Sequence, residues 1–269
     1  VSSSTAFPHG EAFSFSFSAN GQMLLCLSSS RIFVVDLTSH PATVKHELKT
    51  PRKPLGATIL DDGKLLAVIS SKHQVNIYSL SNEEAKHVQA FTLNDVPRAL
   101  ALSPTGSVLA IAYDCGIEVY ALGENAVAAE RRAVRCVGVD SISFSSDGTI
   151  LLGSSTDVNR TSVVSISAPF YTDSGTDATA RDVQSRLWTT QILFPDIIPD
   201  YSHASLLPPH AEGEGSWVIG YDKQIKAFRA VKINDARTGV TYFVGPGPDD
   251  GLEEPPPLTI PAADSLGEL

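Results

Sequence analysis

This 269-residue chain holds few of the residues and patterns that mark catalysis, and each scarcity narrows what it can be. It has three cysteines, Cys26, Cys115 and Cys136. Odd in number and without a C-x-x-C pair, they suit a reducing compartment rather than a disulfide framework. Cys26 lies inside an apolar run and reads as a small buried hydrophobe. Charged residues make up 19% of the chain, with 20 basic against 30 acidic. Binding to nucleic acid, which requires several cations on one face to neutralise phosphates, is therefore not expected. No apolar run is long enough to span a membrane, and the sequon Asn159-Arg160-Thr161 stands without a secretory signal beside it. The expected placement is the cytoplasm or the nucleus. Seven histidines are scattered without H-x-x-x-H or H-E-x-x-H spacing. There is no G-x-S-x-G elbow, although the Gly153-Ser154-Ser155 run resembles its middle, and no G-x-x-x-x-G-K phosphate loop. No metal, cofactor or catalytic residue is expected from these motifs. Nor does any segment show the 3.6-residue apolar period of an amphipathic helix.

What the chain does have is a repeat. Gly21, Gly63, Gly106 and Gly148 recur about every 42 residues, each between two apolar runs. The surrounding segments are FSFSANGQMLLCLS from Phe15, GATILDDGKLLAVIS from Gly56, ALALSPTGSVLAIAY from Ala99 and SISFSSDGTILLGSS from Ser141. Each reads as a hairpin. Asn20-Gly21, Asp62-Gly63 and Asp147-Gly148 are dipeptides that tolerate the positive φ of a tight turn, and Thr105-Gly106 keeps the glycine alone. A third β-branched run follows in each unit, at 31–37, 74–80, 116–122 and 162–166. A fourth comes after it, such as Val44 to Leu48 or His87 to Leu93. Four strands in a repeat of roughly 40–45 residues describe a blade of a β-propeller.

A fifth, less regular unit reads as strands over Tyr201–Leu207, 216–221, 224–231 and 240–244, with the tight turn replaced by a Pro, Gly and Glu loop at 208–215. The fourth unit carries a polar insertion at 172–184 ahead of a strand-like stretch from Leu187 to Phe194. The expected organisation is an N-terminal disordered segment (1–12), an all-β propeller of four-stranded antiparallel blades (13–244, with blades near 13–49, 55–94, 97–136, 139–195 and 201–244), and a tail (245–269). The tail is acidic and proline-rich, with no Lys or Arg after Arg237, and reads as a solvated extension. Propellers close with four to eight blades. Five visible units leave three alternatives: a five-bladed ring, a chain from which part is missing, or a ring completed by a second chain, with self-association as a consequence of open blade faces.

The pattern "apolar, Ser, x, Asp or Asn, Gly, x, x, Leu, apolar" in SFSANGQMLL, SFSSDGTILL and LSPTGSVLAI resembles the first two strands of WD-repeat propellers over about residues 13–244. The closing Trp-Asp dipeptide of that family is represented only by Val35-Asp36, Tyr78-Ser79 and Tyr120-Ala121, and no Gly-His pair opens a repeat. The stretch SRLWTTQILFPDIIPDYSHASLLPPH is similar to uncharacterised WD-like proteins of filamentous fungi. This resemblance implies the strand order of a blade and no activity.

In such a propeller, the links from an outermost strand to the next innermost strand share a rim with the turns between middle strands. Lys49, Arg52 and Lys53, in the first such link, should project there as a basic cluster; Arg131, Arg132 and Arg135 form a second at the edge of unit three. The expected contact surface for a protein partner comprises Lys49, Arg52 and Lys53, the segment from Val96 to Arg98, Val139 with Asp140, and Pro199 to His203. Within the last segment, Tyr201 is the aromatic anchor, because such side chains dominate interface energetics. The expected function is a non-catalytic interaction scaffold. The alternative is a propeller hydrolase or lactone-opening enzyme, its channel site built from His203, Asp140 and Arg98. Trp188 and Trp217 are expected to pack between blades.

Overall fold

The computed structural model describes residues 12–71, 73–81, 84–123, 131–135, 137–146, 148, 150–156, 163–167, 194–198, 201–207, 217–222, 225–232 and 241–243. None of the described residues is helical. Five four-stranded antiparallel sheets account for the strands, each a meander in which chain order is sheet order. Sheet 1 contains β1 (Ser14–Phe17), β2 (Met23–Leu27), β3 (Arg31–Asp36) and β4 (Thr43–Lys49). Sheet 2 contains β5 (Pro54–Ile59), β6 (Leu65–Ser70), β7 (Gln74–Leu80) and β8 (Ala85–Thr92). Sheet 3 contains β9 (Ala99–Leu102), β10 (Val108–Tyr113), β11 (Gly116–Ala121) and β12 (Arg131–Arg135). Sheet 4 contains β13 (Ser141–Phe144), β14 (Ile150–Ser154), β15 (Val163–Ser167) and β16 (Phe194–Ile198). Sheet 5 contains β17 (Tyr201–Leu207), β18 (Trp217–Asp222), β19 (Ala227–Lys232) and β20 (Thr241–Phe243). These are the blades of a β-propeller.

The turn between the first two strands repeats four times with one construction. Gly21, Gly63, Gly106 and Gly148 have φ of 71°, 72°, 68° and 73°. Their amides donate to the carbonyls of Ser18, Leu60, Ser103 and Ser145 at 2.8–2.9 Å. The glycines take the positive φ that these turns were expected to need. In each loop glycine alone takes the left-handed conformation that L side chains resist. The preceding Asn or Asp accepts a hydrogen bond from the amide two residues on. Asn20 Oδ1 accepts from the Gln22 amide, and Asp62 Oδ1 from the Lys64 amide, each at 2.9 Å. Such Asx contacts explain why these residue types precede the glycine. Because the Ser18 carbonyl is committed to Gly21, the Met23 amide bonds the Ser18 hydroxyl oxygen instead, at 3.0 Å. Ser103 and Ser145 serve Val108 and Ile150 in the same way, at 3.1 and 3.0 Å. The three hydroxyls are buried, where an unsatisfied amide would be costly.

Successive side chains of a strand point to opposite faces, and here each face meets a different neighbour. Leu25, Ile32 and Val34 of sheet 1 pack against Ala57, Ile59 and Leu66 of sheet 2. The other face of sheet 2, with Ala67, Ile69 and Ile77, packs on Leu102, Leu109 and Ile111 of sheet 3. Ala110, Ile117 and Val119 then meet Val139, Ile142 and Leu151 of sheet 4. Ile150 and Leu152 meet Ala204, Leu206 and Val218 of sheet 5. Burial on both faces explains why the second strands β6 and β10 are apolar without alternation: every residue of each is buried. Gly153 belongs to this packing. A Cβ there would lie 2.9 Å from Ile117 Cδ1 and 3.1 Å from Val139 Cγ1, so the resemblance to a nucleophile elbow reflects close approach of two sheets.

Three expectations are corrected. The outermost described strand of sheet 4 is β16, Phe194–Ile198, so the fourth unit extends past 195; residues 187–193 of the expected strand lie outside the described residues. β16 contains Pro195, and an outermost strand has one unpaired edge on which a missing N–H is tolerated. Lys49 ends β4, opposite Arg31, and is not in the link. The third strand of sheet 5 begins at Ala227, later than expected. The insertion 172–184, the sequon, Trp188, Cys136, residues 1–11 and the 245–269 tail lie outside the described residues. Cys26 is buried, and burial raises its thiol pKa, whereas Cys115 is exposed.

The repeated turn generates a paired prediction. Gly21 and Gly106 share a φ near 70°, but a Cβ at Gly21 would meet nothing within 4 Å, while one at Gly106 would lie 2.7 Å from Leu60 Cδ1 and 3.0 Å from Leu65 Cδ2. Gly21→Ala should cost about 1–2 kcal/mol, the backbone contribution alone, and Gly106→Ala distinctly more. Urea denaturation of both variants measures the difference; equal costs would mean that the second turn relaxes freely.

Candidate functional site

One rim gathers the links between sheets and the turns between second and third strands, and main-chain hydrogen bonds tie the two kinds of segment together. The Thr50 amide donates to the Ser30 carbonyl at 2.8 Å, Ser71 to Lys53 at 2.9 Å, and Leu93 to His73 at 2.7 Å. Further round, Arg98 donates to Ala112 at 2.8 Å, Asp140 to Ser154 at 3.0 Å and His203 to Ser155 at 2.8 Å. The links at 50–53 and 93–98 are thus pinned at both ends, with Leu93 and Val139 buried in the clusters between sheets as apolar anchors.

Side chains between the anchors face outward. Arg52 and Lys53 are exposed, and the Arg52 guanidinium donates to Gln74 Oε1 at 2.9 Å. Lys49 is exposed at the end of β4, so these three cations do share this rim. Arg98 is ion-paired with Asp114, and the Asp140 carboxylate accepts from the Thr156 amide at 2.9 Å and its hydroxyl at 2.7 Å. Arg98 and Asp140 occupy equivalent positions before β9 and β13, and each binds the turn 16 residues ahead in its own sheet. His203 is half-buried at a bulge in β17, with φ of 53°. Of Tyr201, the structure describes only the backbone, the first position of β17, where it pairs with Asp222. Among the described residues no group of three or more His, Cys, Asp or Glu is placed to hold a metal ion.

Apolar exposure is the feature that sequence reasoning mostly missed. Val96 and Val137 stand at 62% and 63% exposure in two successive links. Leu55 at the bulged start of β5 and Ile225 in a turn between second and third strands are exposed on the same rim. Only Val96 lies in a segment that the sequence marks as a contact surface. Val137 carried a weak signal, as an aliphatic residue two positions from Val139, the apolar anchor of a short link. The cations Lys49, Arg52 and Lys53 sit towards sheets 1 and 2, whereas towards sheet 3 Asp95 is exposed and Asp114 is paired with Arg98. Trp217 is half-buried at the first position of β18.

The opposite rim has side-chain contacts of its own. The Asn20 amide donates to Asp61 Oδ1 at 2.9 Å, joining two turns of neighbouring sheets. Asp36, buried at the end of β3, accepts from Lys45 Nζ at 2.6 Å and from the Thr38 hydroxyl and amide at 2.6 and 2.8 Å. These bonds, Lys45 foremost, hold its carboxyl at a pKa of about 2.

The family assignment rests on the whole chain: the model of a family described as a domain of unknown function, DUF7165, matches residues 1–269. The chain belongs to that family. No curated protein matches it. Among solved structures, Hsv2 of Kluyveromyces lactis is similar with a TM-score of 0.61 at 12% identity, over 87% of this chain and 63% of that one. The hydrazine synthase of Kuenenia stuttgartiensis is similar with a TM-score of 0.54 at 16% identity, over 85% of this chain and 64% of that one. The chain therefore spans less than two thirds of either. These likenesses show the propeller fold. No helix among the described residues is long and apolar enough to cross a membrane.

The Asp36 cluster generates a pH prediction. A carboxyl whose folded-state pKa is lowered contributes stability that is present above its unfolded value and lost as pH falls through the folded value. Comparing wild type with Asp36→Asn by denaturation, the stability difference should be constant above about pH 4 and shrink between about pH 4 and pH 2. A difference that persists unchanged below pH 2 would contradict the assignment.

Proposed function

We propose that this chain is a non-catalytic propeller of WD-like type that binds a protein partner on the rim carrying Lys49, Arg52, Lys53, Val96, Val137 and Leu55. The observation that supports this reading is the exposure of valines held out by anchored links. An isolated exposed aliphatic residue needs no explanation, but several on one rim beside exposed lysines resemble a recognition surface. Anchoring matters energetically. Because Thr50, Leu93, Arg98 and Asp140 are already bonded to adjacent turns, a partner landing on the rim orders little chain, and less of the contact energy is lost to entropy. The cluster of Lys49, Arg52 and Lys53 suits acidic groups on the partner. Arg98 and Asp140, engaged by Asp114 and Thr156, position the links, and Tyr201 and His203 extend the surface into sheet 5. The reading assigns the chain to the cytoplasm or nucleus, with no cofactor.

The test is quantitative co-purification of the chain from its native cells with two variants. Val96→Glu/Val137→Glu alters the proposed surface; Asp61→Lys/Lys64→Glu alters the opposite rim. A stoichiometric partner retained by the second variant and lost by at least tenfold from the first is the expected result. Retention by both, or loss from the opposite-rim variant alone, would overturn the placement.

A further inference from the structure

The fourth strand of each sheet has one edge that pairs with no strand of its own sheet. Such edges recruit further strands unless something blunts them. Four of the five carry a blunting device. β4 exposes Lys45, Glu47 and Lys49 at alternate positions. β12 contains Arg131, Arg132 and Arg135, β16 contains Pro195 and Asp196, and β20 is three residues long. The exception is β8, at eight residues the longest strand described. Its one charged residue is Lys86, near its start, and it has no proline or glycine.

Sheets 1 and 2 bulge at one equivalent point and fill it differently. In β4 the extra residue is Lys45, between the partners of Val34 and Val35; in β8 it is Val88, between the partners of Ile77 and Tyr78. Lys45 reaches Asp36 Oδ2 at 2.6 Å. Sheet 2 has Ser79 where sheet 1 has Asp36, and Val88 stands 49% exposed. Beyond the bulge, Gln89 to Thr92 pair regularly with Ile77 to Gln74. The Leu93 amide bonds the His73 carbonyl at 2.7 Å, towards β7. Because main-chain groups along an antiparallel strand point alternately to one side and the other, the amides and carbonyls of Ala90 and Thr92 are directed to the free edge. Both residues are exposed.

We infer that two copies of this chain pair edge to edge along β8, antiparallel about a two-fold axis at Ala90. In that register Ala90 meets Ala90 of the other copy and exchanges both main-chain hydrogen bonds with it, while Val88 meets Thr92. The two four-stranded sheets become one continuous sheet. A second copy is the occupant that this edge suits, because an antiparallel strand pair is self-complementary about a two-fold axis, the symmetry of an isologous dimer. Charge agrees: the register carries Lys86 towards the far end of the other strand, where Asp95 is exposed, and brings no like charges opposite each other. The inference rests on sheet 2 and does not depend on the rim.

The test is sedimentation velocity over a wide range of concentration, with circular dichroism confirming that each variant is folded. Wild type should show a mass that rises with concentration and levels off at twice that of the monomer. Val88→Lys/Ala90→Lys alters two exposed side chains and sets like charges opposite each other at the axis, so it should weaken association at least tenfold. Ala90→Cys in a Cys115→Ser background reports the register. Opposed hydrogen-bonded residues lie about 5.5 Å apart between Cα atoms, within disulfide reach, so mild oxidation should give a covalent dimer, whereas Lys86→Cys in the same background should not. Should the lysine variant fail to fold, the two cysteine variants decide. The inference is overturned by a wild type that stays monomeric up to its highest soluble concentration, by a folded lysine variant that associates as wild type does, or by cross-linking at Ala90→Cys no faster than at Lys86→Cys.

Discussion

Sheets 2, 3 and 4 each depend on having a neighbour on both sides. Because strand side chains alternate, a sheet that is apolar on both faces satisfies one face with the sheet before it and the other with the sheet after it. Leu66 and Val68 turn to sheet 1, while Leu65, Ala67 and Ile69 turn to sheet 3. Burying each such side chain is worth about 1.5–3 kcal/mol, and no single sheet holds enough of them to offset its own ordering entropy. Stability is consequently a property of consecutive pairs, as in other repeat architectures.

The same constraint explains where function can reside. With faces committed to packing, the surfaces left for a partner are the two rims and the outer edges of the sheets. The rim of links and middle turns is held by main-chain bonds that leave Val96 and Val137 outside while Leu93 and Val139 are drawn in. The opposite rim spends its polar groups on itself, through Asn20 with Asp61 and Asp36 with Lys45.

The spacing of Gly21, Gly63, Gly106 and Gly148 made the blades legible, because a left-handed turn position admits little besides glycine and so marks register. Tyr201–Leu207 and Gln74–Leu80 were readable to the residue. Strand β16 was not, since Pro195 reads as a breaker until the strand is known to be outermost. The buried serines at 18, 103 and 145 were visible as a pattern, but their purpose emerged only when the Gly21-type bond was seen to occupy the carbonyl that the next strand would have used. The cations of the rim were legible from the order of strands and links. Leu55, Val137 and Ile225 were not, because a local pattern tells which residues are apolar but not which of them a link holds away from the core.

If consecutive sheets stabilise one another through shared faces, protection should follow the number of neighbours. Native-state hydrogen exchange measured by mass spectrometry on a dilute sample tests this most directly. The account predicts that β6 and β10, buried on both faces, exchange slowest and near the global unfolding limit, and that β1, with Phe15 and Phe17 uncovered, exchanges well before them. Equal protection of β1 and β10 would contradict it.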